Sequence, residues 1–210
     1  MKDIIMTKTC RFVTLAVATV DAPPARVCTF PPMSHLAGLA MLIAERDGEG
    51  AWTFLLERHA IAAGDGEDAL LKWATHVMPT AGTVLGWQLA DRIVAPLLDA
   101  GTIGDPEIGR AFLDRLMTLV TIPSIDLAVH HGGAGAPDLA SVCAEQGIVL
   151  TPLSAGEIES AWAFGDPPSL NAHVAREAIA VWQLWLAESS GKAVAASKAF
   201  ASWLAARANP

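Results

Sequence analysis

The chain has 210 residues, of which 52% are hydrophobic and 17% charged, and its formal net charge at pH 7 is -8. This length and apolar content suffice for one sizeable core, which excludes global disorder, and the acidic balance opposes a broad electrostatic grip on nucleic acid. Cys10, Cys28 and Cys143 have no Cys-x-x-Cys spacing, so we expect buried reduced thiols and no disulfide framework or zinc ribbon. No apolar stretch reaches the roughly 18 residues that a bilayer crossing needs, so we expect a cytoplasmic protein without membrane contact.

The first third of the chain predicts strands followed by a helix. Residues 11–20 are rich in β-branched side chains and end at the breaker DAPPA, which indicates a buried strand. Residues 35–58 hold two apolar runs around the turn RDGEG and predict an antiparallel hairpin. The acidic residues Asp65, Glu67 and Asp68 then open a segment with apolar side chains at helical spacing as far as Met78, which predicts a helix.

The middle of the chain predicts a further strand between helices. The short apolar run 83–87 indicates a strand, and residues 90–100 place Ile93, Val94, Leu97 and Leu98 on one helical stripe. Residues 104–119 have Pro at a position that suits a helix start and predict another helix. Residues 122–138 combine a short extended piece with a glycine-rich loop.

The last third of the chain predicts helices only. They are residues 138–147, 154–165, the longest helix at 169–191, and a final helix at 192–208. Strands first, then a strand between helices, then helices alone predict an α/β fold. Its mixed sheet would have an antiparallel meander at one edge and parallel strands at the other, flanked by helices. We expect one domain at residues 1–190 and a C-terminal helical extension at 191–210.

Four stretches occur in an order and spacing that match a known family. They are LAVATV (15–20), LGWQLADRIVAPLL (85–98), IPSIDLAVHHGG (122–133) and HVAREAIAVWQLWL (173–186). Together they resemble the DEDD 3′-to-5′ exonucleases of the ribonuclease H-like fold, especially bacterial proteins related to the proofreading domain of family B DNA polymerases. The resemblance covers residues 11–188. It implies a ribonuclease H-like fold and a hydrolase that uses Mg²⁺ or Mn²⁺ at the 3′ end of a single-stranded nucleic acid.

The first strand departs from the pattern of that family at the residues that hold the metals. In the family, a D-x-E pair on this strand chelates from one face, because residues two apart on a strand point the same way. The matching positions here are Ala16 and Ala18. A methyl group offers no oxygen ligand to Mg²⁺ or Mn²⁺. The resemblance therefore implies a degenerate metal site.

Other polar residues match the remaining motifs. The resemblance places Asp91 at the middle-motif aspartate, Asp126 at that of the I-D-L segment, and Glu177 at the last-helix aspartate. It places His173 at the tyrosine that positions water. We expect Asp91, His173 and Glu177 as a vestigial or reduced catalytic set, and Asp91, Asp126 and Glu177 as its metal ligands. The alternatives are a capping residue at Asp91 and an exposed helix pair for His173 and Glu177, whose i, i+4 spacing puts both on one helix face.

Four further residues are weaker candidates. Asp21 lies three residues after Ala18, so on a strand its side chain would point to the opposite face, and we expect it in a turn. Glu67 opens a helix, where stabilisation by the helix dipole explains an acidic residue equally well. His130 and His131 adjoin the glycine-rich loop, which could border a cleft. Adjacent residues of an extended segment point in opposite directions, so we expect that the two imidazoles do not bind one metal ion.

Tryptophans offer a stacking surface for bases only if they are exposed. Trp162, Trp182 and Trp185 could stack on bases, but helical spacing in an apolar helix favours core packing for all three.

Three functional hypotheses follow. The leading one is a catalytically impaired pseudonuclease that retains a nucleic-acid-binding or regulatory role. The second is an active metal-dependent 3′-to-5′ exonuclease with a reduced site, or one in which Ala16 and Ala18 were introduced to disable it. The third is a non-catalytic interaction domain that binds a protein partner through the final helix. The apolar stripe on that helix, either for the partner or for the domain's own sheet, would consist of Val194, Ala195, Phe200, Trp203 and Leu204.

Overall fold

The computed structural model describes residues 10–21, 34–189 and 193–208. Within these ranges lie five strands and seven α-helices, and Cys28 falls outside them. The strands are β1 (Cys10–Asp21), β2 (Ser34–Arg46), β3 (Trp52–Ala60), β4 (Thr83–Gly86) and β5 (Ser124–Asp126). The helices are α1 (Glu67–Val77), α2 (Ala95–Ile103), α3 (Pro106–Val120), α4 (Leu139–Glu145), α5 (Ala155–Ala163), α6 (Pro167–Glu188) and α7 (Val194–Ala208).

The strands form one mixed sheet in the order β3-β2-β1-β4-β5. β1 pairs antiparallel with β2 and β2 with β3, whereas β4 runs parallel to both β1 and β5. This confirms the predicted α/β class, with the meander at one edge and the parallel strands at the other. The strand order and directions are consistent with a ribonuclease H-like layout. β1 is central in this sheet, so its two faces contribute to two separate cores.

Alternation along β1 divides the apolar side chains between these cores. Val13 and Leu15 pack with α1, α2 and α3 on one face of the sheet. Ala16 and Ala18 belong to the core on the opposite face, which includes residues of α4, α6 and α7. Burial on both faces explains why the strand is almost continuously apolar instead of alternating with polar residues. The period of two therefore fixes which side chains of β1 can reach α6.

Side-chain caps set the starts of four helices. Asp105, Asp138 and Asp166 each accept backbone N–H groups in the first turns of α3, α4 and α6. Ser154 and Glu157 form a reciprocal capping box at α5. These contacts satisfy donors that a helix start leaves without partners, and they place the helices close to where the sequence predicts them.

Two segments differ from the sequence-based expectation. A π-helix (Leu89–Val94) precedes α2, so the predicted helix of residues 90–100 begins with wider turns. Gln88, just before it, has φ 49°, in the left-handed region. In place of a glycine-rich loop, the chain forms two short 3₁₀ helices at Leu127–His131 and Gly133–Gly135. Neither feature produces the regular 3.6-residue or two-residue period on which the prediction relied.

The two cysteines whose burial the structure gives differ from each other. Cys143 is fully buried, and its burial raises the pKa of the thiol to about 11. Cys10 is half-buried, and both cysteines are free thiols. The expectation of a buried reduced thiol is thus confirmed at Cys143, which stays protonated and unreactive at neutral pH.

The C-terminal helix packs on the domain's own sheet. Phe200 of α7 is buried, with its ring centroid 5.1 Å from that of Phe54 on β3. Trp182 of α6 belongs to the same aromatic group, at 6.2 Å from Phe200, and is fully buried. Of the two roles open to the apolar stripe of α7, packing on the sheet is the one observed. Among the helices described, none is long and apolar enough to cross a bilayer.

The packing of α7 can be tested at Phe200. We expect Phe200→Ala to lower the free energy of unfolding by about 3 kcal/mol, because it removes a buried aromatic ring and leaves a cavity. Val194→Ala on the same helix is the control, since Val194 is 68% exposed and the change should stay within about 0.5 kcal/mol. Urea denaturation of the full chain measures both. Equal, small losses would contradict the packing of α7 described here.

Candidate functional site

A cleft opens beside the C-terminal half of β1, between the π-helix and α6. It consists of an inner cavity of about 30 Å³ and an outer cavity of about 290 Å³. Both cavities are lined by Val17, Arg92, Leu139 and Glu177. Ala16 and Trp87 line the inner cavity, and Ala18 and His173 line the outer one. The structure therefore brings together the positions of the first strand and the last helix that the sequence singles out.

The two alanines of β1 lie almost completely buried at this cleft. Ala16 is 4% exposed and Ala18 is 1% exposed, and across the ladder they pair with Ala40 and Gly38 of β2. A Cβ atom added at Gly38 would lie 3.5 Å from Val174 Cγ1 on α6. Small residues on this face thus let the helix lie close to the strands. At Ala16 and Ala18 the wall of the cleft formed by β1 is apolar and offers no carboxylate ligand, and Thr19 is the polar residue of this strand that lines the outer cavity.

His173 and Glu177 form a close pair on α6. One helical turn separates them, and His173 Nε2 lies 3.8 Å from Glu177 Oε1. The backbone N–H of Leu153 donates a hydrogen bond of 3.2 Å to His173 Nδ1. Because Nδ1 accepts this bond, a neutral ring carries its proton on Nε2, the nitrogen nearer to Glu177. The loop before α5 therefore fixes the tautomer of His173.

The surroundings of this pair disfavour charge on both members. Burial, together with the smaller effect of the positive charges of Arg176 and Arg92, lowers the pKa of His173 to about 4. Burial raises the pKa of Glu177 to about 7, although the charge of Arg92 acts in the opposite direction. The usual order of the two pKa values is thus inverted, since a free carboxyl ionises well below a free imidazole. Near neutral pH the imidazole is neutral and the carboxyl is partly protonated.

The π-helix presents Arg92 to the cleft. Arg92 lines both cavities, whereas Asp91 is exposed and lines neither of them. The prediction chose Asp91 from its place in the middle motif. The motif spacing does not predict which residue of a wide π turn faces the neighbouring strand. In this turn Arg92, and not Asp91, faces the cleft.

Asp126 makes structural contacts at the start of two helices. Its Oδ2 accepts a hydrogen bond of 2.9 Å from the N–H of Leu89, and its Oδ1 accepts one of 3.0 Å from the N–H of Ala128. The carboxylate thereby ties the end of β5 to the first residue of the π-helix. It does not line either cavity of the cleft.

The cleft residues do not fit the pair of Mg²⁺ or Mn²⁺ ions that the resemblance implies. In residues 10–21, 34–189 and 193–208, no three His, Cys, Asp or Glu side chains are grouped so as to hold a metal ion. Asp138 also lines the outer cavity, but its carboxylate caps α4 through the N–H and hydroxyl of Ser141. The hard oxygen ligands that these cations need are thus missing as a set.

The other candidate residues lie apart from the cleft. Glu67 Oε1 lies 2.8 Å from His35 Nδ1, and Asp21 is the exposed last residue of β1 instead of part of a turn. The expectation that His130 and His131 point in opposite directions was wrong. These residues lie in a 3₁₀ helix, and both imidazoles reach Glu188, at 3.3 and 2.7 Å. A 3₁₀ turn brings adjacent side chains closer in direction than an extended strand does.

Sequence reasoning missed Arg92 and Trp87 as lining residues. Trp87 is 3% exposed, and its indole N–H has no hydrogen-bond partner in the part of the chain that the structure describes. The signal in the sequence that could have identified them is their position, since both residues lie inside the stretch 85–98 that matches the family. The expected core packing is confirmed for Trp182, which is fully buried, whereas Trp162 and Trp185 are half-buried and pack against the same core.

No protein-family model matches the chain, and no curated protein is significantly similar to it in sequence. The exonuclease resemblance therefore stays a prediction.

The inverted pKa order has a measurable consequence for stability. The carboxyl of Glu177 ionises near pH 4.5 when exposed and near pH 7 in the fold, so the folded state becomes less stable as pH rises between these values. Glu177→Gln removes this loss. We expect the stability of the variant relative to the wild type to increase by roughly 3 kcal/mol from pH 4.5 to pH 8.

Urea denaturation at a series of pH values measures this difference. Glu159→Gln, at an exposed position of α5, is the control for loss of one negative charge. A difference between the Glu177→Gln variant and the wild type that is constant over the whole pH range would contradict the burial of an ionisable Glu177.

Proposed function

We propose that this chain is a ribonuclease H-like pseudonuclease, which does not catalyse two-metal phosphodiester hydrolysis and keeps its cleft for binding. Such hydrolysis requires two divalent cations, about 4 Å apart, to activate water and stabilise the leaving oxygen. The observation that carries the proposal is the pairing of buried Ala16 and Ala18 on one wall with Arg92 on another. The resemblance adds a nucleic-acid-binding or regulatory role with a single-stranded 3′ end as ligand, and the lack of a long apolar segment in the sequence adds a cytoplasmic location.

The charges in the cleft support this proposal. A guanidinium repels divalent cations, and Glu177 is the residue of the expected metal set that lines the cleft. Moreover, its raised pKa leaves the carboxyl partly protonated at neutral pH, which weakens it further as a metal ligand. The cleft thus lacks both the number of ligands and the negative charge that two cations require.

The alternative of a partner-binding domain gains less from the structure. Phe200, Trp203 and Leu204, which were to form its apolar stripe, pack against the domain's own core. Val194 is the one large apolar residue of the predicted stripe that is exposed. Docking of another protein on α7 therefore has a smaller apolar surface than the sequence suggests.

A nuclease assay tests the proposal directly. We expect no release of nucleotides from the 3′ ends of labelled single-stranded DNA or RNA with Mg²⁺ or Mn²⁺. Isothermal titration of the full chain with Mn²⁺ should likewise show no tight site, since the ligand set is incomplete.

Glu177→Gln is the control for contamination. Nucleotide release that is the same in the wild type and in this variant belongs to a contaminating nuclease. Metal-dependent release by the wild type that this variant loses would instead show an active exonuclease with a reduced site.

A further inference from the structure

Arg92 carries a permanent positive charge at the point where the two cavities of the cleft meet. It lines both cavities and acts electrostatically on His173 and Glu177. Its own position is exposed, so a ligand can reach the guanidinium from solvent. A guanidinium offers several N–H donors in a planar fork that matches the oxygens of a phosphate group. This makes Arg92 the natural anchor for an oxyanion.

The inner cavity does not itself hold the phosphate group. Its volume of about 30 Å³ is room for about one water molecule, which is less than a phosphate group needs. Trp87 lines this cavity, and its buried indole N–H has no hydrogen-bond partner among the described residues. The oxyanion site therefore depends on Arg92, where it lines the outer cavity.

The outer cavity has the composition of a site for a small organic group. Its volume is about 290 Å³, and much of its wall is apolar, formed by Leu139, Leu150, Leu153 and Ile158. Ligand sites typically combine such apolar walls with a few placed polar groups. The charged groups around it are Arg92 on the π-helix, Asp138 just before α4, and Arg176 and Glu177 on α6. The carboxylate of Asp138 is engaged in capping α4.

We propose that the cleft binds the phosphate group of a small phosphomonoester directly through Arg92, without a bridging metal ion, while the outer cavity holds the organic part. This inference rests on the proposed function, in which the cleft binds and does not hydrolyse. The role of Glu177 then follows from its charge. An ionised Glu177 repels the phosphate, whereas in a metal-mediated site the same carboxylate would be needed as a ligand.

The sign of the effect at Glu177 separates direct binding from metal-mediated binding. Isothermal titration at pH 8 with EDTA present measures the affinity of the full chain for phenyl phosphate, with inorganic phosphate as the smaller probe. We expect Arg92→Gln to weaken phenyl phosphate binding by at least about 10-fold, because it removes the charged donor. We expect Glu177→Gln to tighten binding several-fold, and inorganic phosphate to bind less tightly than phenyl phosphate.

Arg110→Gln is the matched control, because Arg110 is an exposed arginine of α3 that does not line the cleft. Its affinity for phenyl phosphate should equal that of the wild type. Circular dichroism and urea denaturation show whether each variant is folded. The result for Glu177→Gln keeps the test decisive if Arg92→Gln is unstable.

Further probes identify the source of the phosphate. A nucleoside 5′-monophosphate represents a free small molecule, and an oligonucleotide with a 3′-terminal phosphate represents a strand end. Tighter binding of either probe than of inorganic phosphate, lost in Arg92→Gln, supports the site and names its source.

Three results would overturn the proposal: no binding of phenyl phosphate at millimolar concentration, equal binding by the Arg92→Gln variant, or binding that requires Mg²⁺ and is lost in Glu177→Gln. None of these results would show that the protein hydrolyses nucleic acid. The absence of nuclease activity is therefore tested separately, by the nuclease assay.

Discussion

The packing of α6 on the small residues of β1 and β2 is the constraint on which the cleft depends. Thr14 on β1 is fully buried, and its hydroxyl donates a hydrogen bond of 3.0 Å to the carbonyl oxygen of Ala178 on α6. Ala16 and Ala18 continue the same face of the strand toward the cleft. This close contact sets where the next turns of α6 place their side chains, and thus puts Glu177 and His173 beside an apolar strand.

The same contact explains the electrostatics of the cleft. In a site built for two cations, the metals would balance the negative charge of carboxylates on the strand, and water would solvate them. Here the strand carries methyl groups, so a carboxyl on α6 faces a poorly solvated wall and holds its proton to a pKa of about 7. Arg92 then supplies positive charge where the family resemblance implies metal ions. In the function we propose, the alanines of β1 and the charge of Arg92 act in the same sense, because both disfavour a divalent cation and leave the cleft better suited to an anion.

The sheet and helices could be predicted because each has a strong local signal. β1 has a long apolar β-branched run, α3 has Pro106 after Asp105, and α6 has the longest apolar pattern of the chain. The site could be predicted only in part. The positions on β1 and α6 follow from the regular periods of a strand and a helix. These periods are why Ala18 and Glu177 line one cavity.

The remainder of the site depends on irregular backbone. Arg92 faces the cleft because a π-helix follows Gln88, whose backbone is left-handed, and no sequence period indicates such a turn. His130 and His131 converge on Glu188 because a 3₁₀ helix replaces the expected extended segment. The tautomer of His173 is set by Leu153, twenty residues away in the chain, a contact that only the tertiary structure provides.

The central claim is that Glu177 is a partly protonated acid beside Arg92 and not a metal ligand. Titration of its side-chain carboxyl carbon by NMR, with and without Mg²⁺, measures this most directly. We expect a midpoint near pH 7 that millimolar Mg²⁺ leaves unchanged. A midpoint near that of an ordinary glutamate, or one that falls sharply when Mg²⁺ is added, would show a carboxylate that is solvated or bound to metal, and would contradict the account.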